Sequence, residues 1–343
     1  MNLTADKFSD FFQFNAQSYP SRSNIEKRFT FQVLDNPLVQ NRSSQNSPHI
    51  LITYNDKGQI VGQFGLNPAQ YHLENKTSLC FCGFDLFVSP EYRGKGLGSS
   101  LVKTALEKYS PFFPIDVSES ARKLYSQCYP LGSVYSFLWI RNFRNLFKSG
   151  FSFITQKYFN RGSPDVGTTP TNFPSSITLK NDHFKLVTSL PHWEYTFWKK
   201  EVLEFSRTAE FLKWRFFQQP GYGFYLLSEK DQFAYFVVRK VNLKGLHLLA
   251  IVDYRISSED KNLIASILQG SKWVAKQTNS DGIIIMCSHS LFEKQLRKNL
   301  FTKVGKAHEI LVDVDLGFST DTIKKRTALL LTMADGDFEF AYW

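Results

Sequence analysis

Three glycines at alternate positions are the most informative chemical feature of the sequence. They are Gly94, Gly96 and Gly98, within the run Val88-Ser89-Pro90-Glu91-Tyr92-Arg93-Gly94-Lys95-Gly96-Leu97-Gly98-Ser99. Glycines let backbone N–H groups approach a bound anion closely, and a helix that starts there adds the positive end of its dipole. Arg93 and Lys95 add positive charge at the same place, as a pyrophosphate group would need. The run therefore predicts a phosphate-binding loop.

Two other kinds of phosphate site fit this loop less well. A Walker A loop ends in Gly-Lys-Ser/Thr, whereas Lys95 is followed by Gly96. A dinucleotide-binding turn is the more serious rival, because Asp116 closes the next predicted strand about twenty residues later. However, Ser99 replaces the third glycine of that fingerprint, and Pro90 separates the strand from the glycines. We therefore favour neither nucleoside triphosphate hydrolysis nor dinucleotide binding.

The same run resembles a known family. The pattern Val88-x-Pro90-x-x-Arg93-x-x-Gly96-x-Gly98 is similar to the acyl-CoA-binding signature of the GNAT superfamily of N-acetyltransferases, whose loop cradles the pyrophosphate of coenzyme A. The resemblance covers roughly residues 45–140. It implies that acetyl-CoA or a longer acyl-CoA binds as co-substrate. The residues that it assigns to this donor are Leu86, Phe87, Val88, Arg93, Gly94, Lys95, Gly96, Leu97, Gly98 and Ser99.

The resemblance also implies the reaction, which is direct acyl transfer from coenzyme A to a primary amine. Neither Cys80 nor Cys82 lies in a nucleophile motif, so no covalent intermediate is expected. Tyr125 ends a segment similar to the family's helix beside the thioester, and it would protonate the departing thiolate. Asp85 is the candidate base for the ammonium proton. The alternative is that Asp85 only satisfies local backbone donors, with water carrying the proton.

The pattern around the loop predicts an α/β domain. Apolar runs and turn residues indicate strands and helices in alternation, which would form a three-layer domain. The predicted elements are strands at Ile50–Tyr54, Ile60–Leu66 and Leu79–Val88, a helix from Leu97, a strand at Phe112–Val117, a helix at Ser118–Gln127 and a strand at Ser133–Ile140.

A similar order of elements recurs about 170 residues later, which indicates a structural duplication. The corresponding loop, Arg255–Asp260, has two carboxylates and no glycine, so coenzyme A is not expected there. The fold class is thus α/β (three-layer α+β), with two tandem GNAT-like domains that each have a mixed, mostly antiparallel sheet flanked by helices. The predicted elements of the second half are strands at Phe224–Leu227, Phe233–Lys240 and Leu246–Tyr254, a helix at Lys261–Lys276, a strand at Gly282–Cys287, a helix at Ser290–Asn299 and a strand at Ala328–Thr332.

The domain division follows from composition. We place an N-terminal domain with the acyl-CoA site at residues 1–145, a connecting segment at 146–178 and a degenerate GNAT-like domain at 179–343. Residues 162–176 are rich in Gly, Ser, Thr and Pro, as linkers are. Residues 141–161 mix aromatic and basic side chains; they are interpreted either as a helix that packs between domains or as a surface for anionic lipid or phosphorylated substrate.

The charge and two short segments bear on the acceptor. The chain has 41 Lys and Arg against 31 Asp and Glu, a formal net charge of +10, which favours an anionic partner of some kind. Segments Phe211–Phe216 and Ala334–Asp337 resemble two-domain transferases of bacterial surface-sugar biosynthesis, which implies a nucleotide-linked amino sugar as acceptor. Trp214 and Arg215 are candidate contacts to that acceptor. Packing inside the fold is the alternative for both residues.

Two further functions remain open at this point. One is a peptidoglycan-type transferase with aminoacyl-tRNA as donor, against which the intact loop argues; the other is a non-catalytic protein that senses acyl-CoA. No nucleic-acid motif is found, and the seven histidines have no metal-ligand spacing, so neither nucleic acid nor a metal is expected. Four scattered cysteines and the lack of a secretion signal or an apolar span predict a cytoplasmic protein, with peripheral membrane contact left open.

Overall fold

The chain forms two compact units. The structure is a computed structural model, which describes residues 1–20, 22, 24–40, 49–119, 121–142, 172–179, 182–190, 198–229, 232–243, 245–257 and 260–336. The first unit consists of the described residues in 1–72, 76–132 and 308–323, and the second consists of those in 73–75, 133–307 and 324–336.

Helices with an aromatic face open the first unit. Phe8, Phe11 and Phe12 recur at helical spacing along α1, and their rings lie 5.1 to 5.4 Å from the ring of Phe29 in α2. Such aromatic contacts fix the two helices against each other. The helices of this part of the chain are α1 (Phe8–Ser18), α2 (Ile25–Phe29), which continues as a π-helical segment at Thr30–Leu34, and α3 (Pro37–Gln40).

Four strands follow and carry the predicted loop. They are β1 (Ile50–Tyr54), β2 (Ile60–Leu73), β3 (Lys76–Val88) and β4 (Phe112–Pro114). β1 pairs antiparallel with β2, β2 neighbours β3, and β3 pairs parallel with β4, with Phe81 opposite Phe112. Because parallel neighbours cannot be joined by a tight turn, the chain crosses over through helix α4 (Leu97–Lys108). The glycine loop therefore lies between the end of β3 and the start of α4, as predicted.

Side chains of α4 anchor this crossover. Leu101, Val102 and Ala105 are buried at helical spacing on one side of α4. They belong to the same apolar cluster as Phe64 of β2 and Phe112 of β4. The cluster fixes the position of the helix that starts at the loop, since close-packed interiors resist displacement.

The segment before β5 differs from its prediction. A helix over Ser118–Gln127 is wrong, because the described residues there form only a short 3-10 turn at Arg122–Tyr125. Its backbone bonds span three residues, from the N–H of Leu124 to the carbonyl of Ala121 and from that of Cys128 to the carbonyl of Tyr125. The strand predicted at Phe112–Val117 is also shorter, since β4 ends at Pro114.

The remaining elements of the chain lie mostly in the second unit. They are β5 (Tyr129–Ile140), β6 (Ser176–Thr178), β7 (His183–Val187), β8 (Leu203–Phe205), α5 (Ala209–Leu212) with a π-helical segment at Lys213–Phe217, β9 (Tyr222–Glu229), β10 (Gln232–Leu243), β11 (Leu246–Ile256), α6 (Lys261–Gln277), β12 (Gly282–Cys287), α7 (Ser290–Lys298), β13 (Thr302–Val312), α8 (Thr320–Lys325) and β14 (Leu329–Leu330). Of these, β13 continues into the first unit from His308, and α8 begins in the first unit. In the sheet of the second unit, β5, β12, β11, β10, β9, β7 and β6 lie side by side in this order. β11 pairs parallel with β12, and helix α6 provides the crossover, as predicted.

The structural division falls at other positions than the predicted one. Residues Ser133–Ile140, which the sequence assigned to the first domain, belong to the second unit, and Tyr135–Ile140 among them pair antiparallel with β12. The pairing is close, because a Cβ on Gly282 would lie 2.2 Å from the carbonyl oxygen of Trp139. Of the predicted linker at 162–176 and the basic aromatic segment at 141–161, most residues lie outside the described ones.

A charged cluster is buried in the second unit. The side chain of Asp253 in β11 is fully buried and accepts bonds from Arg207 Nε (2.8 Å), Arg255 Nη1 (3.0 Å), Tyr235 Oη (2.7 Å) and Thr332 Oγ1 (2.7 Å). Burial alone would raise the pKa of this carboxyl, but the two guanidinium groups outweigh it and hold the pKa at about 2. The stability that the ionised carboxylate contributes is therefore present above pH ~4 and is lost as the pH falls towards 2.

We expect Asp253→Asn to lower the free energy of unfolding by about 3–5 kcal/mol, because it leaves buried guanidinium groups without their shared anion. Urea unfolding followed by circular dichroism measures this. The matched control is Glu201→Gln, whose side chain is 65% exposed, and it should change stability by no more than about 0.5 kcal/mol. Equal stability of the two variants would contradict the role of the cluster.

Candidate active site

The loop between β3 and α4 has an open backbone. Gly94 and Gly96 adopt φ values of +76° and +79°, which residues with a Cβ atom rarely adopt. A Cβ built on either residue would meet no atom within 4 Å, so the loop is uncovered at both. Gly96 is also the N-cap of α4, whose first N–H groups have no partner inside the helix. The loop can therefore present backbone donors to an anion.

Gly98, the third glycine of the loop, differs from the other two because side chains lie near it. A Cβ on Gly98 would lie 3.8 Å from Leu124 and 3.8 Å from Val88, which is ordinary van der Waals distance. Gly98 thus faces the end of β3 and the 3-10 turn. Leu97, at the start of α4, is partly exposed, and Ser99 is exposed.

Basic side chains of the loop are exposed, and weak contacts hold them. Arg93 Nε donates to the carbonyl oxygen of Val88 at 3.0 Å, and its guanidinium lies 5.6 Å from the ring of Phe87. Lys95 Nζ lies 4.7 Å from the ring of Tyr92. The structure thus brings together the loop residues that the sequence assigned to the donor site, and it places positive charge beside the open glycines.

Strands β3 and β4 part beside the loop. Their pairing ends with Gly83 opposite Pro114, five residues before β3 ends at Val88. The chain after β4 pairs instead with β13, through a bridge between Ile115 and Ile310. The predicted donor residues Leu86–Val88 therefore lie where β3 has separated from β4. Backbone groups on such an edge can bind an extended ligand arm.

Tyr125 lies close to this opening. It ends the 3-10 turn, is 4% exposed and stacks on Phe112 of β4 at 6.4 Å. Burial raises the pKa of its hydroxyl above the ordinary value of 10, and nearby Cys128 adds to the shift. The phenol is therefore protonated at neutral pH. Its neighbour Leu124 packs towards Gly98, which places this turn beside the start of α4.

Asp85 is held by an arginine that sequence analysis missed. Its backbone has a φ of +50° within β3, and both carboxylate oxygens accept bonds from Arg22, at 2.5 and 2.8 Å. Arg28 of α2 lies 4.0 Å away. The arginine and the aspartate are 63 residues apart, so no local spacing in the sequence could have indicated this pair.

The pair lies in a pocket of the first unit. Asp85, Arg22 and Arg28 line it together with the amide side chains of Asn15 and Gln63. These two amides bond each other reciprocally, at 2.7 and 3.1 Å. The apolar part of the wall includes Phe11, Phe29 and Phe84. The pocket thus combines an apolar wall with a charged corner on β3.

The candidate acceptor contacts in the second half are buried. Trp214 is 8% and Arg215 is 3% exposed, and both lie in the π-helical segment after α5. Trp214 packs against Phe211 at 5.7 Å, and Arg215 Nη2 lies 3.5 Å from the carbonyl oxygen of Gly336. Burial favours the packing alternative for both residues. Asp337 lies outside the described residues.

At the second crossover, the described residues include no glycine with an open backbone. Arg255 belongs to β11 and is 1% exposed within the charged cluster. Asp260 caps α6 by accepting from the N–H of Asn262 at 2.7 Å, whereas α4 has a glycine at this place. Ser258 and Glu259 lie outside the described residues. A carboxylate at the start of the helix disfavours a phosphate there.

Among the described residues, no group of three or more His, Cys, Asp or Glu side chains is arranged to hold a metal ion. None of the described helices is long and apolar enough to cross a membrane.

Known proteins share this fold. Residues 9–127 match the family described as "Acetyltransferase (GNAT) family", whereas no curated protein matches the sequence. Three solved structures are similar. A GCN5-related N-acetyltransferase from Anabaena variabilis ATCC 29413 is 12% identical over 91% of this chain and 71% of its own, with a TM-score of 0.55. Saccharomyces cerevisiae N-myristoyltransferase with bound myristoyl-CoA and inhibitors is 14% identical over 96% and 84%, with a TM-score of 0.55. A probable N-acyltransferase from Enterococcus faecalis V583 is 11% identical over 90% and 70%, with a TM-score of 0.52.

Over residues 9–127 the family match confirms the resemblance to the GNAT superfamily that was stated from the sequence. It spans α1 to the residues just after Tyr125 and so includes the whole loop. The prediction of a GNAT-type N-acyltransferase with an acyl-CoA donor is thereby confirmed. At 11–14% identity the solved structures show the fold alone, and they confirm the predicted α/β class with helix-flanked sheets.

We expect Gly96→Asp to abolish the thermal stabilisation that acetyl-CoA provides, because it adds negative charge to the open loop. A ligand at 100 times its Kd stabilises the folded state by about 2.7 kcal/mol, which a melting experiment detects. Gly58→Asp is the matched control, since Gly58 has a φ of +74° and equally open space in the turn between β1 and β2. The loop assignment fails if Gly96→Asp melts higher with acetyl-CoA by as much as the control does.

Proposed function

Since residues 9–127 carry the GNAT acetyltransferase domain, we propose that this protein moves an acyl group from acyl-CoA directly to a primary amine. The observation that carries the proposal is the uncovered glycine loop at the start of α4, with Arg93 and Lys95 exposed beside it. Pyrophosphate would bind the backbone donors of this loop and the two cations. The pantetheine arm would then extend along Leu86–Val88, where β3 has parted from β4.

The transfer needs little covalent chemistry from the protein. Holding the amine and the thioester in attack geometry supplies much of the rate enhancement. A backbone N–H near Leu86 would stabilise the oxyanion as it forms. Acetyl-CoA and longer acyl-CoAs are both candidate donors; the myristoyl-CoA in the similar yeast structure supports including long chains among those tested.

Tyr125 is the proposed acid. Its buried hydroxyl keeps its proton at neutral pH, which is the state that a donor to the departing thiolate requires. The same burial makes it a weak acid in the resting protein. We therefore assign to it a hydrogen bond to the sulfur that strengthens as negative charge develops, followed by proton transfer.

Asp85 was the candidate base, and its ion pair supports the alternative role. Both of its oxygens accept from Arg22, so the carboxylate already serves to orient a guanidinium group. We propose that Asp85 holds Arg22 and the backbone of β3 in position, and that water takes the proton from the ammonium group.

The acceptor is proposed as a nucleotide-linked amino sugar used in surface-polysaccharide biosynthesis. The net charge of +10 supports a phosphorylated acceptor, while the burial of Trp214 and Arg215 does not favour their contact with it. A cytoplasmic location is supported by four free thiols, Cys80, Cys82, Cys128 and Cys287. Two alternative functions differ from this proposal in ways that can be tested. A transferase with an aminoacyl-tRNA donor would not need the open loop, and a protein that only senses acyl-CoA would acylate no amine.

We expect Tyr125→Phe to lower the turnover number by about 10²–10⁴-fold while acyl-CoA binding is retained, because the substitution removes only the hydroxyl group that would act as the acid. Release of free coenzyme A thiol measures turnover, and thermal stabilisation measures binding. Tyr129→Phe is the control, since Tyr129 is 48% exposed. Unchanged turnover in Tyr125→Phe would show that the assignment is wrong.

We expect Asp85→Asn to reduce acyl transfer while the acid limb of the pH–rate profile stays in place, because the proposed role of the carboxylate is to position Arg22 and not to accept the proton of the ammonium group. Loss of the charged partner should also lower the free energy of unfolding by about 1–3 kcal/mol. Asp10→Asn, an exposed carboxylate paired with Lys7, is the control. Disappearance of the acid limb would instead identify Asp85 as the base.

A further inference from the structure

A leucine in a left-handed backbone conformation follows helix α7 in the second unit. Leu300 has a φ of +66°, which residues with a bulky side chain rarely adopt. Its N–H donates to the carbonyl oxygen of Arg297 at 3.1 Å. The N–H of Phe301 donates to the carbonyl oxygen of Leu296 at 3.0 Å. Together these bonds form a Schellman motif, in which the position of Leu300 is usually occupied by glycine.

Leu300 gains little burial in return for this conformation. It is 76% exposed, whereas the next residue, Phe301, is 3% exposed and belongs to the apolar core of the second unit. A glycine in its place would relieve the backbone and sacrifice little buried surface. An outlier of this kind motivates a search for a function of the side chain outside the fold.

The leucine lies within a strongly basic stretch of the chain. Residues 294–306 contain five Lys and Arg and no Asp or Glu. Lys294, Arg297 and Lys298 are all exposed, and the last two follow the first by three and four residues along α7. Side chains at this spacing share one face of a helix. The exposed face of α7 is therefore basic as far as the turn that carries Leu300.

Two further elements bring cations to the same turn. Lys272 of α6 donates from Nζ to the carbonyl oxygen of Asn299 at 2.7 Å, so its charge lies beside the residue that precedes Leu300. Lys303 of β13 is exposed, and its Nζ lies 3.2 Å from the ring centre of Tyr135 in β5. We call these five cations, together with the leucine, the basic surface; its members are Lys272, Lys294, Arg297, Lys298, Leu300 and Lys303, all of the second unit.

The carboxylate that pairs with this surface, among the described side chains, is Glu293. It accepts from Arg297 Nη2 at 2.8 Å, and it also pairs with Arg326. One negative charge is thus shared by two guanidinium groups and does not neutralise the lysines. The basic surface therefore has the charge to attract an anionic partner.

We propose that the basic surface docks the protein on an anionic phospholipid bilayer, with the side chain of Leu300 inserted among the headgroups. Each cation near such a membrane strengthens binding about fivefold. Insertion would bury the leucine, and this gain would account for its exposure in the free protein. The inference goes beyond the proposed function and does not depend on it.

A nucleic acid is the less favoured partner for this surface. Proteins that bind single strands combine cations with aromatic rings on which the bases stack. The side chain exposed in the turn at Leu300 is aliphatic and offers no ring. An aliphatic side chain between cations suits the boundary of headgroups and acyl chains better.

Sedimentation of the full chain with lipid vesicles tests the proposal. Vesicles of phosphatidylcholine alone are compared with vesicles of phosphatidylcholine and phosphatidylglycerol in equal amounts. We expect binding to the anionic vesicles to be tighter by about tenfold or more, and we expect added salt to weaken it because salt screens exposed charges. Equal binding to both kinds of vesicle would overturn the proposal.

Charge variants locate the surface that binds. Lys294→Gln combined with Lys298→Gln should weaken binding to the anionic vesicles by roughly 25-fold, because two cations are lost. The matched control is Lys185→Gln combined with Lys240→Gln, which removes two exposed lysines from β7 and β10 and gives the same net charge. The control should bind nearly as tightly as the unaltered protein. Equal losses in the two double variants would show that binding follows net charge, and the proposal would be wrong.

Variants of Leu300 separate insertion from charge. Leu300→Gly should weaken vesicle binding by about tenfold, because the side chain that would be buried in the membrane is lost. The same variant should melt at least as high as the unaltered protein, because glycine suits this backbone conformation. Leu300→Met keeps an apolar side chain and should retain binding. Undiminished binding by Leu300→Gly would refute the proposal.

Filter binding of a single-stranded RNA oligonucleotide examines the other anionic partner. The proposal fails if the double substitution at Lys294 and Lys298 weakens RNA binding and leaves vesicle binding unchanged. Acyl transfer to a soluble amine should be equal in the surface variants and the unaltered protein. Because vesicle binding is measured without any acceptor, failure of the proposed acyl transfer would leave this test intact.

Discussion

The parallel alignment of β3 with β4 is the constraint from which the site follows. Parallel neighbours need a crossover, and the helix of this crossover, α4, starts shortly after the carboxyl end of β3. The strands then part after Gly83, which exposes backbone of β3 beside the loop. The glycines, the separated strand and the turn that carries Tyr125 thus meet as a consequence of one pairing.

The cost of burying charge explains how the two units differ. A guanidinium group that is removed from water needs nearby anions to offset its lost hydration. In the second unit these anions are Glu204, Asp253 and Asp335. That cluster is fully buried. In the first unit the pair of Arg22 and Asp85 is partly exposed beside a pocket. The same kind of ion pair is therefore buried in one unit and partly accessible to solvent in the other.

The sequence predicted the parts of this protein that local patterns determine. The alternation of apolar and polar residues and the spaced glycines predicted β1, β3, the loop and α4, and apolar runs predicted β9 to β12, because each of these patterns is contained in a few residues. Non-local contacts could not be predicted in this way. Nothing within Ser133–Ile140 reveals that its partner is β12, and Arg22 gives no local sign that it will hold Asp85. The turn that ends at Tyr125 has residues compatible with an α-helix. Backbone hydrogen bonds there span three residues, as in a 3-10 helix, and not the four of an α-helix.

The distribution of partners along the chain also has a consequence for synthesis on the ribosome. Phe112 N–H in the first unit donates to Asp313, which follows it by 201 residues, and Arg207 in the second unit bonds Asp335, which follows it by 128. The chain emerges from its N-terminus, and domains ordinarily fold as they appear. Here the first unit lacks its last residues until translation has passed residue 323, and the second lacks Asp335 until translation has passed that residue. Both units therefore complete their contacts only late in synthesis.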